Sequence, residues 1–588
     1  MTATQQLWHL IRFRGRLFTG VCALLIVNWG ALLGMGLLVR AFFDVLSDVT
    51  NKIPAYIWYI ALLFLILQVI SVLTKLWGVY ADVTYRSIIA ALLRKNMFQY
   101  VLRQPGADAL PYSSTRSITH FRNDTMEITR ILSTLGVIEA IAATVFAIFS
   151  LIILLRIDVL ITAFVLPPLV AIVLIVRRLT PRIRRYRQEN LEATEKVTAF
   201  IGDILGGIQT IKIANAESRV GQHFNSLNEA RRQIAVKDQL LTQFLNAIFI
   251  NVGNLGMGLV LILASSAIKQ GTFSIGDFAF FGFSLTQVTR IIEVYGNTIT
   301  KFQQSKISLQ RMSQFMTKEP PEKLVEHSSV YEKGEFPPVN YERKSSQNRL
   351  NQLQVRNLNY GVANSPFLLK NIDLCLQKDT LTIVTGRTGS GKSILLRTLI
   401  GLLPMKSGQI YWNNQLVNAP DVFFKPPKCA YIPQVPTLFS DSVKNNILLG
   451  LANSDVTLEQ AIWQSVLERD LVDLEHGIET LVGPKGVKLS GGQKQRVATA
   501  RMLITDADLL LVDDLSSALD VETEELIWER ITALPHKTIL AVSSRPAALR
   551  RANHIIVLKD GKIESEGSFK ELLEVSAEFT ELVAQWHG

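Results

Sequence analysis

Apolar and polar positions are unevenly distributed along the chain, and in its first half they separate into long blocks. Leu17–Val39 carries no charge, enough helix to cross a hydrocarbon core about 30 Å thick. Arg12, Arg14 and Arg16 precede it like the basic region of a signal peptide, but the apolar block is too long and no small-residue cleavage site follows, so it reads as a retained span. Further uncharged stretches at Pro54–Thr74, Ala140–Leu155, Val159–Val176, Gln239–Ile268 and Phe278–Thr289 make six spans. The two middle ones are short between charges and extend past them, because long basic side chains snorkel to the interface. Arg12, Arg14 and Arg16 before the first span, and Arg177 to Arg187 after the fourth, mark the cytoplasmic side. Both termini are therefore expected in the cytoplasm. The connections Lys75–Arg130 and Arg177–Asp238 are long and rich in helix formers, which predicts helices projecting from the membrane.

The pattern changes after the sixth span. Lys318–Arg349 contains Glu319-Pro320-Pro321 and Pro337-Pro338 with no apolar period, the composition of a linker. From Leu353 onward short β-branched runs alternate with helical stretches, as in a parallel sheet covered by helices. The expected organisation is a six-helix transmembrane domain at 1–317, a linker at 318–350 and an α/β domain at 351–588. Composition agrees: of 588 residues 48% are hydrophobic and 19% charged, with mean hydropathy +0.24, unlike an ordinary soluble enzyme. The net charge of +11 is not gathered for nucleic acid, since its densest basic run, Arg177–Arg187, abuts a span. No nucleic-acid partner is expected. Cys22, Cys375 and Cys429 lie far apart and suggest neither a disulfide framework nor a zinc site.

The chemistry is concentrated in the second domain. Gly386-Arg387-Thr388-Gly389-Ser390-Gly391-Lys392-Ser393 fits the phosphate-loop pattern G-x-x-x-x-G-K-[ST], after the strand-like Leu381-Thr382-Ile383-Val384 and before the helix-forming Ile394-Leu395-Leu396. Glycines let backbone N–H groups close around phosphate oxygens at a helix N-terminus. Lys392 neutralises charge there, and the Ser393 hydroxyl suits Mg²⁺. A second strand, Leu509-Leu510-Leu511-Val512, ends in Asp513-Asp514 and supplies a carboxylate for the same cation. The fold class is thus membrane α-helical, with six transmembrane helices, plus an α/β P-loop ATPase domain that binds ATP and Mg²⁺.

Between these motifs stands Leu489-Ser490-Gly491-Gly492-Gln493, followed by Lys494-Gln495-Arg496, and in this register the chain resembles an ABC transporter. The resemblance covers nearly the whole length, with six spans fused to one ATPase domain as in half-size exporters of the B-subfamily type. It implies that Ser490, Gly491, Gly492 and Gln493 bind the nucleotide held by the opposite subunit of a dimer. It further implies that Tyr360 stacks on adenine, that Gln434 senses Mg²⁺ and contacts the membrane half, and that Ser517-Ala518-Leu519-Asp520 crosses the dimer interface. Gly207–Lys212 with Ala216-Glu217 is similar to the segment leading to the second cytoplasmic coupling helix. Gly271–Asp277 also fits the exporter pattern.

Two positions depart from the family. Asp514 stands where a glutamate usually polarises the attacking water, and it is one methylene shorter. Ser544, in Ser543-Ser544-Arg545, replaces a histidine that contacts the γ-phosphate. Misplacement by about 1 Å costs around a hundredfold in phosphoryl transfer, so Asp514, Ser544 and Gln434 make a weakened catalytic set. The signature shows no such loss, although Pro484 stands where many exporters have glutamate. Together these imply an unlike partner half-transporter; a homodimer with two slow sites and a membrane regulator that binds ATP without pumping remain the alternatives. Gln243, Asn246, Asn251, Asn254 and Gly258 form one polar stripe on span five, which either lines a cavity or hydrogen-bonds to neighbouring helices. Arg290 and Glu293 are spaced to pair with each other. The exported substrate, whether small molecule, lipid or peptide, is not specified by these residues. The expected setting is an integral protein in contact with membrane lipids, in a bacterial inner membrane.

Overall fold

The structure is a computed structural model that describes residues 1–47, 56–106, 114–269, 272–331, 334, 349–361, 368–451, 455–483, 486 and 488–586. Gly271, Pro484 and most of the linker lie outside the described residues, as do the side chains of Asn246 and Ser517. The chain divides into two compact units, one comprising Met1–Tyr100 and Tyr112–Gly334, the other Val101–Pro111 and Glu335–Gly588.

The first unit is helical. A short helix, Ala3–Phe13, is started by a capping box in which Thr2 and Gln5 exchange side-chain-to-backbone bonds. Six long helices follow: Gly15–Ser47, Tyr56–Arg103, Val137–Ile157, Val159–Gly206, Glu217–Lys269 and Ile275–Phe315. Each holds the described part of one of the expected spans, Pro54 and Ala55 of the second lying outside the described residues. The first three are long and apolar enough to cross a membrane by length and composition. Helices of 48 and 53 residues are about 72 and 80 Å long at 1.5 Å per residue, far more than a bilayer core requires.

Local chemistry sets where these helices begin. Asp158 adopts an extended backbone, and its carboxylate accepts from the Ile161 N–H at 2.9 Å, opening the Val159 helix. Ser274 and Asp277 form a capping box for the last helix. Buried polar groups then tie helix to helix. The Asn28 amide donates to the Ser71 carbonyl and hydroxyl at 2.9 Å each and to the Thr74 hydroxyl at 3.2 Å. Arg40 meets the buried Asp277 at 2.7 Å, while the Gly276 N–H donates to Asp44 at 3.0 Å. Arg290 does not pair with Glu293 as its spacing suggested. It approaches Glu139 at 4.0 Å and lies 5.3 Å from the Trp29 ring centre, since tertiary partners on the third and first long helices are within reach.

The start of the Pro-rich stretch is packed, not free. Pro321–Val325 makes a 3₁₀ turn with Leu324 and Val325 fully buried. The Asn96 amide donates to the carbonyls of Leu324 and Glu326 at 3.0 and 2.9 Å, and His327 stacks on His9 with ring centres 4.1 Å apart. Two buried aliphatic side chains and these backbone bonds outweigh the local composition.

The second unit is built on two sheets. An antiparallel sheet has the order β2-β1-β4-β5, with β1 Gln352–Tyr360, β2 Leu369–Gln377, β4 Ser407–Trp412 and β5 Gln415–Leu416. The central sheet has the order β10-β9-β3-β8-β7-β6, made of β3 Leu381–Thr385, β6 Cys429–Ile432, β7 Leu509–Asp513, β8 Thr538–Val542, β9 His554–Lys559 and β10 Lys562–Gly567. Strands β9, β3, β8, β7 and β6 run parallel, and β10 is an antiparallel edge. Every residue of β3, β7 and β8 is buried, which explains their largely apolar runs, for helices cover one face and the antiparallel sheet with the helix Lys392–Leu399 covers the other. In such a sheet ligands bind beyond the carboxyl ends of the strands. There the loops after β3, β8 and β7 stand side by side.

Candidate nucleotide-binding site

The loop after β3 carries the phosphate-binding pattern, and its backbone takes a positive φ at Gly386, Gly389 and Gly391. Gly386 has φ +138°, and a Cβ there would stand 2.1 Å from the Leu558 carbonyl oxygen. Gly391, at φ +104°, caps the helix Lys392–Leu399 in a left-handed conformation. Between them Arg387, Thr388 and Gly389 are exposed at the tip, while Ser390 is buried. The Ser390 hydroxyl has no hydrogen-bond partner among the described residues, as expected of a donor aimed at a ligand oxygen. Lys392 Nζ donates to the carbonyls of Gly386 and Arg387 at 2.7 and 2.8 Å. Burial holds its pKa below the usual lysine value, against the pull of Asp514 and Asp513.

The second strand brings its carboxylates to this loop. Asp513, fully buried, accepts from the Ser393 hydroxyl at 2.6 Å and from the Tyr431 hydroxyl at 3.2 Å, with Arg397 at 3.5 Å. Ser393 and Asp513 thus present adjacent hard oxygens, the donor set Mg²⁺ prefers. Asp514 has a left-handed backbone with φ 51°, and its N–H donates to the Val542 carbonyl at 3.1 Å. Its carboxylate accepts from Gln434 Nε2 at 3.2 Å, and its carbonyl accepts from the buried Gln495 side chain at 3.3 Å. Sequence reasoning missed Tyr431, Arg397 and Gln495. Only the turn of a helix or the parallel pairing of β6 with β7 brings them close.

Ser544 follows β8 and is exposed; its carbonyl accepts from Trp586 Nε1 at 3.1 Å. Ser490 caps the helix Gly491–Leu503 in a capping box with Gln493, at 3.2 and 2.9 Å. A Cβ on Gly491 or Gly492 would lie 3.2 or 3.0 Å from Ala518, so the signature packs tightly on the turn Leu515–Ala518. Arg496 holds Asp470 in two short bonds of 2.5 and 2.7 Å, securing the same helix. Among the described residues no hydrogen bond joins Ser490–Gln493 to the phosphate loop of this chain. Tyr360 ends β1, half-buried against the core, and residues 362–367 beside it lie outside the described residues.

A phosphate loop, a buried carboxylate beside its serine and a capped Ser-Gly-Gly-Gln helix, joined in one polypeptide to membrane-spanning helices, define a P-loop ATPase fused to a membrane domain. Comparison with known proteins narrows the class. Residues 17–292 match the family described as ABC transporter transmembrane region and residues 369–517 match the family described as ABC transporter. This chain belongs to the ABC transporters. It is 25% identical over 527 residues to an ATP-dependent lipid A-core flippase of Bordetella avium, covering 88% of this chain and 86% of that one. It is 27% identical over 380 residues to ABC transporter B family member 1 of Dictyostelium discoideum, where it spans only 40% of the relative's length. A bacterial Atm1-family ABC exporter solved with ATP bound shares its fold, with a TM-score of 0.78, 22% identity and coverage of 97% and 99% of the two chains.

Proposed function

We propose that this chain is one half of a dimeric ATP-driven exporter, and that its own ATP site is the slower of two in a dimer with an unlike half-transporter. Lys392, Ser393, Asp513, Gln434 and Tyr360 hold MgATP in this chain, together with the loop residues Gly386 to Gly391. Mg²⁺ held by Ser393 and Asp513 would supply charge neutralisation to the bound nucleotide. Ser490, Gly491, Gly492 and Gln493 complete the partner's site. ATP-driven closure of the two nucleotide domains then reopens the helices outward. The termini face the cytoplasm of a bacterial cell.

The observation that carries this reading is the pair of catalytic positions. Asp514 is engaged by Gln434 at 3.2 Å, but its side chain is one methylene shorter than the glutamate it replaces. Ser544 offers a short neutral hydroxyl in place of an imidazole. Substrate oxygens are therefore cradled well while the attacking water is oriented poorly. The close Gln434–Asp514 contact also favours a second reading, a homodimer with two equal slow sites. On the membrane side Gln243, Asn251 and Asn254 are exposed, and among the described residues Asn251 bonds within its own helix, at the Ala247 carbonyl. This favours a polar cavity wall, and the flippase relative favours an amphiphilic lipid among the cargo classes.

The test is the ATPase rate and mass of the chain purified alone in lipid nanodiscs. Poor turnover that rises when an unlike half-transporter is added supports the heterodimer. A stable homodimer with substantial turnover, lost in Lys392→Ala, overturns it.

A further inference from the structure

The helix Ala577–Ala584 and the residues after it touch the nucleotide site at two points that neither the phosphate-loop motif nor the signature contains. At the first, Arg387 at the tip of the phosphate loop is held by two acids of that helix. Its Nε lies 2.5 Å from Glu578 and its Nη2 lies 2.5 Å from Glu581. Glu578 is almost wholly buried and is also paired with Lys559 at 3.1 Å, so the first acid is anchored to β9 as well as to its helix. At the second point, the Trp586 indole N–H donates to the Ser544 carbonyl. The indole is stacked on Phe569, which packs edge-on against the fully buried Phe579 of the same helix.

Strand β8 lies between β3 and β7, so its loop emerges between the phosphate loop and Asp513-Asp514. That placement brings Ser544 to the side where the outermost phosphate meets the cation. The end of β8 is also tied to the backbone of the catalytic residue, since the Asp514 N–H donates to the Val542 carbonyl, two residues before Ser544. On the other side the Arg387 carbonyl accepts from Lys392. The segment Ala577–Trp586 therefore contacts both lips of the site. With only a serine at 544, the position of that lip depends on its backbone, and Trp586 holds the backbone.

We propose that Glu578, Glu581 and Trp586 are positioning residues of the nucleotide site, the acids ordering the phosphate loop through Arg387 and the indole ordering the Ser544 lip. This rests on the reading of Lys392 and its loop as the ATP site. The two grips have different consequences. The phosphate-loop grip acts on phosphates that ATP and ADP share, whereas the Ser544 grip acts only where the terminal phosphate lies.

ATP and ADP affinities of the full-length chain in nanodiscs separate the two. Trp586→Phe keeps an aromatic ring beside Phe569 and removes the N–H; it is expected to lower ATP affinity about threefold to tenfold and leave ADP affinity unchanged, chiefly an effect of one neutral hydrogen bond. Glu581→Gln, exposed and clear of the Lys559 pair, is expected to weaken both nucleotides alike by about twofold to fivefold. An unchanged ATP-to-ADP ratio in Trp586→Phe, or unchanged affinities in Glu581→Gln, overturns the proposal. Lys392→Ala serves as the separate control, because retained ATP binding there defeats the site assignment itself and not the grips.

Discussion

At the scale of single residues, the site depends on backbone that only certain side chains tolerate. Gly386 cannot accept a Cβ, because the nearest atom is the Leu558 carbonyl of a neighbouring buried strand, which cannot retreat. Gly386→Ala is expected to lower the unfolding temperature of the nucleotide domain and abolish ATP binding, as read by differential scanning fluorimetry with and without MgATP. Lys392→Ala acts differently. It removes the cation from a half-buried place without moving the backbone, so thermal stability holds while nucleotide affinity falls by at least about tenfold. Equal affinity in that variant would mean that the loop is not the phosphate cradle. The residue types of this cradle were legible in sequence because the motif is local. Tyr431 and Arg397, which share Asp513 with Ser393, were not, because they come from a different strand and from the far turn of a helix.

At the scale of elements, buried polar contacts decide how the helices meet. Asn28 satisfies three acceptors on the second long helix, all in a region with no water to replace them. Asn28→Leu is expected to cost about 0.6–1.7 kcal/mol, the range measured for hydrogen bonds between membrane helices. Thermal unfolding in detergent checks it, and an unchanged midpoint would show that the helices find their register without this amide. In the ATPase domain the Arg496–Asp470 pair is mostly buried. Asp470→Ala leaves a buried guanidinium without its carboxylate, at about 3–5 kcal/mol. The signature helix is therefore expected to loosen first, seen as faster amide exchange across Gly491–Leu503 than in β3.

Hydropathy located all six long helices, because length and apolarity survive any tertiary arrangement. It failed for the start of the Pro-rich stretch, where Leu324 and Val325 are too few to register as a period yet are completely buried. It failed also for Arg290, whose partner Glu139 lies on another helix. Pairings distant in sequence leave no mark on a single chain read alone.

At the scale of the whole molecule, two compact units in one chain answer to two kinds of chemistry: apolar helices that need a bilayer, and a parallel sheet whose strand ends gather phosphate-binding groups. Both units carry matches to the ABC transporter family, one to its transmembrane region and one to its ATP-binding half. Fractionation after mild lysis is expected to leave the chain in the membrane pellet, resistant to a carbonate wash. Release into the supernatant would contradict the six-span reading.

The central claim is that this chain holds ATP well and turns it over slowly because of Asp514 and Ser544. The most direct measurement compares the ATP turnover of the unaltered chain with that of Asp514→Glu, of Ser544→His and of both together, at saturating MgATP and equal protein stability. The account predicts a small gain from Asp514→Glu alone and a rise of about a hundredfold in the double variant, the amount that misplaced groups forfeit in phosphoryl transfer. Turnover in the unaltered chain that already equals the double variant would contradict it.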